Sequence, residues 1–375
     1  MNFLEEERRT LEQFLPTLDE KLRAIPFADL ERPGNPGIGI YRELKGPSVL
    51  IPEALGGSGA TPVDAVRIHR AIGSRSPSLA IAVAMHNFSV ATLVEYSLYG
   101  DYTNDFMRSI SADQLLVASG FAEGRTGTSI LDPAMVARPA EGGYVVNGSK
   151  KPCSLTYSMH LLTASVAVPD PEAPGGHKRA VAIIPADAEG LDRRPFWANE
   201  ILAGAESDEL ALTDVFVPDQ LLFFPETQSD IDAVETGGFL WFELLISASY
   251  LGMASALAER VIERRRAGAS ELAALGTELE GAMSALEGVA QGLAGRERND
   301  ALLARCLFAR FSVQQAIERA SALGAELLGG MSFIGSKEAS YLYAASRALA
   351  FHPPSRSAIA GSLAAYLGGD PFRML

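Results

Sequence analysis

Apolar residues change their spacing twice along these 375 residues, and that double switch narrows the folds open to the chain. Up to about residue 115 the period is helical, with Leu4, Leu11, Leu15, Leu18 and Leu22 recurring at steps of three, four and seven. Two more helices are expected over residues 62–72 and 78–96, and a Pro/Gly-rich stretch (31–39) and the Gly56-Gly-Ser-Gly59 loop punctuate this block. From about 116 to 222 the apolar runs shorten or alternate. Residues 144–147, 161–168, 179–185 and 209–217 are bounded by Gly, Pro and Asp, which reads as strands of a small antiparallel barrel or sandwich. Beyond about 235, long Ala-, Leu- and Glu-rich segments return near 241–266, 269–294, 300–328, 336–350 and 355–367. Ser355 suits the N-cap of the last and Gly368 its stop. The expected fold class is α+β multi-domain: an N-terminal α-helical domain over 1–115, a central antiparallel β-barrel or sandwich over 116–222, and a C-terminal α-helical bundle over 223–375.

Charge excludes some partners. Asp and Glu number 46 against 32 Lys and Arg, a net charge of −14, whereas phosphate backbones demand concentrated cations. Nucleic acid and an anionic membrane surface are therefore not expected partners; the one dense basic run, Arg264-Arg265-Arg266, is short. Cys153 and Cys306 fall in different blocks, which rules out a disulfide framework and suits a reducing compartment. The start, Met1-Asn-Phe-Leu-Glu-Glu-Glu-Arg-Arg9, lacks the basic-then-apolar order of a secretory leader. No apolar run is read as approaching the ~20 residues a bilayer span needs. The expectation is a cytoplasmic protein. His69, His160 and His177 show no metal-ligand spacing with one another or with the cysteines, so no metal site is expected. The Gly56–Gly59 loop is not followed by Lys-Ser/Thr, which excludes a phosphate-binding P-loop.

Five local signatures occur in one order: Ile51-Pro-Glu-Ala-Leu-Gly-Gly-Ser-Gly59, Ser78-Leu-Ala-Ile-Ala-Val-Ala-Met-His86, Gly142-Gly-Tyr-Val-Val-Asn-Gly-Ser-Lys150, Asp214-Val-Phe-Val-Pro218 and Gly329-Gly330. With the helix–strand–helix order, they resemble the acyl-CoA dehydrogenase superfamily over essentially the whole chain. The resemblance implies a flavin, FAD, held between the β-domain and the C-terminal bundle of a homodimer or homotetramer, a neighbouring subunit often contributing. It places Ser154 at the flavin's N5 edge and Arg264 of Arg264-Arg-Arg-Ala-Gly268 on the pyrophosphate, where a guanidinium fork suits a diphosphate. Ala122, Cys153, Glu326, Gly329, Gly330 and Ser355 are carried over as residues around the cofactor, Cys153 as packing beside the flavin loop. The chain also departs from the pattern. Pro152 stands where the flavin loop usually has Trp, Ala267 replaces a Phe, and Glu326 replaces a common Gln, setting a carboxylate near the pyrophosphate.

The largest departure concerns catalysis. An α,β-dehydrogenase removes a proton with a positioned carboxylate, yet alignment puts Pro353 at the family's usual Glu. A minority of members carry the base on the first bundle helix; counting back from Gly252 reaches Phe242, one residue short of Glu243. Glu243 is either a pocket group or the partner of an arginine on a neighbouring helix. His352 stands beside the missing base, in Phe351-His-Pro-Pro-Ser355, where the prolines enforce an extended turn ahead of a helix whose positive end favours a neutral ring. The same region resembles the flavin-dependent monooxygenase branch, such as dibenzothiophene monooxygenase. That branch has His-Asp-Pro for His352-Pro-Pro354, Lys-x-x-Cys-Ser for Lys150-Lys-Pro-Cys-Ser154, and a match to Tyr250-Leu-Gly-Met-Ala254. This resemblance implies a monooxygenase that hydroxylates a small organic molecule with O2 and FADH2 from a separate flavin reductase. His352 would steady the oxygenated flavin and Glu243 would orient substrate. His86 is either a partner of His352 or a satisfied core histidine. Two alternatives stay open: an acyl-CoA or acyl-carrier-protein dehydrogenase with Glu243 as relocated base, and a catalytically inactive structural homologue.

Overall fold

A computed structural model of the chain describes residues 2–98, 100–124, 133–224, 228–295 and 298–373. Its helical blocks follow the 3.6-residue period closely. The stretches expected at 62–72 and 78–96 form helices over Pro62–Arg75 and Pro77–Ser97. Thr61 and Asp64 close a capping box on the first, and the Ser76 hydroxyl accepts from the Leu79 N–H at the start of the second. The C-terminal bundle comprises Gln228–Arg264, Ala269–Ala294, Asp300–Leu328, Gly330–Gly335, Lys337–Ser346 and Arg356–Leu367. A 3₁₀ turn, Arg347–Phe351, takes up the end of the segment expected at 336–350.

Helix Pro62–Arg75 crosses Gln228–Arg264 backbone against backbone. A Cβ on Gly73 would lie 2.3 Å from the Ser249 carbonyl oxygen, and one on Gly252 would lie 2.3 Å from that of Arg70. Only glycine permits this approach. Beside the crossing, Arg70 is fully buried and donates to Glu7 (2.6 Å), Glu280 (2.7 Å) and Ser255 (3.1 Å), pinning the first helix, Glu5–Phe14, to the bundle.

Among the described residues, eight strands form one sheet: β1 Val117–Gly120, β2 Val136–Ala140, β3 Gly143–Cys153, β4 Leu161–Pro169, β5 His177–Pro185, β6 Leu191–Arg194, β7 Asp208–Pro218 and β8 Leu222–Phe223. The order is β6-β7-β3-β2-β4-β5-β8, with β1 paired to β4. Pairing is antiparallel except that β1 and β2 run parallel to β4. The four expected runs are β3, β4, β5 and β7, the longest strands. β1, β2 and β6 have four or five residues each, too few to show a period.

One reading of the sequence needs correction. Helices Pro77–Ser97 and Thr236–Arg264 are long and apolar enough to cross a bilayer by length and composition. In this fold they are central: 78% and 100% of their apolar windows are buried. A helix enclosed on all sides loses its polar face and comes to look like a membrane span.

Candidate active site

A cleft of about 420 Å³ opens where helices Pro77–Ser97 and Gln228–Arg264 meet the sheet. From the first helix come Ile81, Met85, Phe88, Thr92 and Tyr96, spaced 4, 3, 4, 4 and therefore on one face. The end of β1 and the residues after it add Ser119, Phe121 and Ala122; the end of β3 and the turn beyond it add Pro152 and Ser154; β5 adds Arg179 and Val181. The long bundle helix contributes Phe239, Phe242 and Tyr250, and the turn before the last helix supplies Phe351, His352 and Pro353. Edge-on ring contacts knit this wall: Phe88 to Phe121 at 5.7 Å, Phe88 to Phe242 at 5.6 Å, with Phe242 tilted against His352 at 6.2 Å.

His352 is extended (φ −76°, ψ 140°), as its two following prolines require. Its Nε2 lies 2.9 Å from the Tyr250 hydroxyl. Burial, then the nearby Arg310 guanidinium, hold its pKa down at about 4, so the ring is neutral. The helix start expected to do this is capped by Ser355 itself, whose hydroxyl accepts from the Ala358 N–H. Arg310 Nη2 donates to the carbonyls of Leu349 (2.8 Å) and His352 (3.0 Å), tying down the turn that carries the imidazole. The same guanidinium lies 3.3 Å from Glu243. Burial drives Glu243 up to about 8, against the opposing pull of Arg310.

Ser154 lies in the wall with its hydroxyl 3.0 Å from that of Ser207, which also faces the cleft. Behind them the buried Lys150 ammonium donates to Glu123 (2.7 Å) and to Ser165 (3.1 Å), another cleft residue.

The structure thus brings together His352, Ser154 and Ala122, and places the other expected residues elsewhere. Glu243 is absent from the cleft wall: Phe242 takes that direction, and Glu243 turns to Arg310 on the neighbouring helix, since one helical step rotates a side chain by ~100°. His86 forms no pair with His352. Its Nε2 is 3.0 Å from the Pro47 carbonyl and its Nδ1 accepts from the Val117 N–H at 3.0 Å, so backbone groups occupy both nitrogens. Cys153 is sealed behind the wall with its sulfur toward the Ser119 carbonyl, and burial pushes its thiol up to about 12. Arg264 donates to the Leu328 carbonyl and to Ser332, both at 2.8 Å, outside the cleft of its own chain. Glu326, Gly329, Gly330 and Ser355 also lie outside it, Glu326, Gly330 and Ser355 on the surface. Sequence reasoning misses Ser207, Arg179 and the role of Tyr250, which enters there only within a longer matching stretch.

No protein-family model matches the chain. It is 42% identical to isobutylamine N-hydroxylase of Streptomyces viridifaciens over 382 aligned positions, covering all of both chains. Its backbone matches the nitrososynthase of Micromonospora carbonacea var. africana with a TM-score of 0.80, at 18% identity over 98% of each chain. It matches TdsC of Paenibacillus sp. A11-2, solved with FMN and indole, with a TM-score of 0.79, at 17% identity over 99% of this chain and 98% of TdsC. Full-length identity and a shared helix–sheet–helix frame agree. This chain belongs to the family of isobutylamine N-hydroxylase: it is a flavin-dependent monooxygenase of the acyl-CoA dehydrogenase fold, acting on a small molecule.

Proposed function

We propose that the chain hydroxylates the nitrogen of a small aliphatic amine, isobutylamine or a near relative, using O2 and a reduced flavin. The observation that carries this reading is His352, neutral and facing the cleft, with no carboxylate among the described residues that line it. A dehydrogenase would need a base there, and Glu243 is committed to Arg310. The wall residues fit a flavin: the cavity lies within the ~300–1,000 Å³ usual for cofactor sites, its lining is mostly apolar and aromatic, and Ser154 and Ser207 offer hydroxyls to a polar ring edge.

When bound, the reduced flavin supplies two electrons and activates dioxygen. One oxygen atom enters an N–H bond to give the hydroxylamine, and the other leaves as water. The amine must present a lone pair, and an ammonium finds no counter-charge among the described residues of this lining, so the cleft selects the neutral base. His352 keeps a neutral ring, able to hold a proton toward the cleft without competing as a cation.

The flavin is proposed to be FAD, delivered reduced by a separate reductase, with its dinucleotide half held by a second copy of the chain. Supporting this, Arg264 and Gly329-Gly330 cluster outside the cleft beside Met331 and Ile334, which are 81% and 80% exposed, an apolar face suited to a homo-oligomer. A reducing, cytoplasmic setting belongs to the same proposal, supported by two buried, unpaired cysteines. The test is turnover of isobutylamine with FAD, NADH, a flavin reductase and ¹⁸O₂. Hydroxylamine carrying ¹⁸O supports the reading; recovery of unchanged amine, with the flavin bleached instead by an acyl thioester under anaerobic conditions, overturns it.

A further inference from the structure

We infer that Tyr250 is a positioning residue that fixes His352 as the Nδ1–H tautomer, with its donor aimed into the cleft. The inference rests on the proposed monooxygenase reading only for its catalytic consequence; the tautomer comes from hydrogen-bond supply. Tyr250 is almost fully buried, and its hydroxyl has one partner among the described residues, His352 Nε2 at 2.9 Å. A buried O–H left without an acceptor is costly. If Nε2 carried the proton, the phenol would be left with no protein acceptor among the described residues. Burial also holds the Tyr250 phenol far above its ordinary pKa, so it keeps its proton. The phenol therefore donates to Nε2, and in a neutral ring the proton must sit on Nδ1.

Nδ1 has no protein partner among the described residues, and it is absent from the chain's buried polar atoms that lack one. It is thus open to the cleft that the ring lines. Arg310 completes the arrangement by clamping the carbonyls of Leu349 and His352, so that ring direction and proton position are set by two different helices. An N–H fixed at one atom of a neutral ring is a pre-aimed donor, of the kind that stabilises charge developing on a nearby oxygen.

The test is ¹⁵N NMR of the full chain labelled at histidine, with the His352 signals identified by their loss in His352→Gln. The expected wild-type pattern is a pyrrole-type Nδ1 and a pyridine-type Nε2 for His352, constant from pH 6 to 8. Tyr250→Phe should move that residue toward the Nε2–H form while leaving the other four histidines unchanged, and should lower amine hydroxylation by about 10²-fold with flavin affinity kept. A wild-type ring protonated at Nε2, or a Tyr250→Phe spectrum identical to wild type, overturns the inference. If the tautomer shift occurs but the wild-type chain hydroxylates no amine, the positioning stands and the functional reading falls.

Discussion

Glu31 offers a sharp test of how burial governs this fold. Its carboxylate, 5% exposed, joins distant parts of the chain by accepting from the hydroxyls of Tyr341 (2.6 Å), Ser78 (2.7 Å) and Ser76 (2.9 Å) and from the Ser78 N–H (3.0 Å). The Tyr341 oxygen in turn accepts from the N–H of Leu202, a cleft residue, at 2.7 Å. All these donors are neutral, and none offsets the desolvation that lifts Glu31 from 4.5 to about 7. Below pH ~4.5 the native and unfolded chains both hold the proton. Between 4.5 and 7 the unfolded chain releases it first, so this group's contribution to stability falls as pH rises and is lost above about 7. At ~1.4 kcal/mol for each pH unit of that gap, the loss is on the order of 3 kcal/mol. Glu31→Gln removes the titration and forfeits about 1 kcal/mol of hydrogen bonding. The variant should therefore be less stable than wild type at pH 4.5 and more stable, by roughly 2 kcal/mol, at pH 7.5. Urea unfolding followed by the fluorescence of Trp197 and Trp241 across that range measures the crossing. Parallel stability curves for the two proteins would refute the reasoning, because they would mean that the carboxyl titrates alike folded and unfolded.

Arg310→Met strips Glu243 of its guanidinium partner and the turn of two donors; a loss of about 3–5 kcal/mol is expected in urea unfolding. The double variant with Glu243→Gln should cost less than the sum of the two single changes. Ser154→Ala should raise the flavin dissociation constant about five- to tenfold, measured by fluorescence titration, since one neutral hydrogen bond is worth ~1 kcal/mol. Finally, kcat/KM for an alkylamine should climb about tenfold per pH unit from 6 to 9, following the free-base fraction of an amine with pKa ~10.4. His352, neutral above about 4, adds no fall on the alkaline side; a flat profile would show that the cleft accepts the ammonium.

How far the sequence discloses all this depends on the length scale of each signal. Long helices announce themselves because many apolar positions repeat, and glycines at 73 and 252 fit because two backbones touch there. Strands of four or five residues leave no period to read, so β1, β2 and β6 escape the sequence although β1 supplies Ser119 to the cleft lining. Local chemistry is legible at His352, since two prolines dictate an extended turn whatever surrounds it.

Direction and partnership are not legible, and the failures share one cause. Glu243 and Phe242 are neighbours in sequence, yet Phe242 faces the cleft and Glu243 a guanidinium 67 residues further along, and nothing near position 243 says which. His86 sits on an apolar helix like a free ligand until the Pro47 carbonyl and the Val117 N–H are seen to occupy it, and backbone groups leave no mark in composition. Tyr250 reaches its imidazole across 102 residues. The arrangement around His352 is therefore written mostly in long-range contacts. Arg310 is the clearest case: it touches neither the cleft nor any proposed ligand, yet it pairs with Glu243 and holds the His352 carbonyl with the same planar group. A lysine there would keep the charge and lose the fork, so Arg310→Lys should retain more stability than Arg310→Met while still disordering the imidazole. Stability and catalysis would then separate at a residue that motif matching passes over.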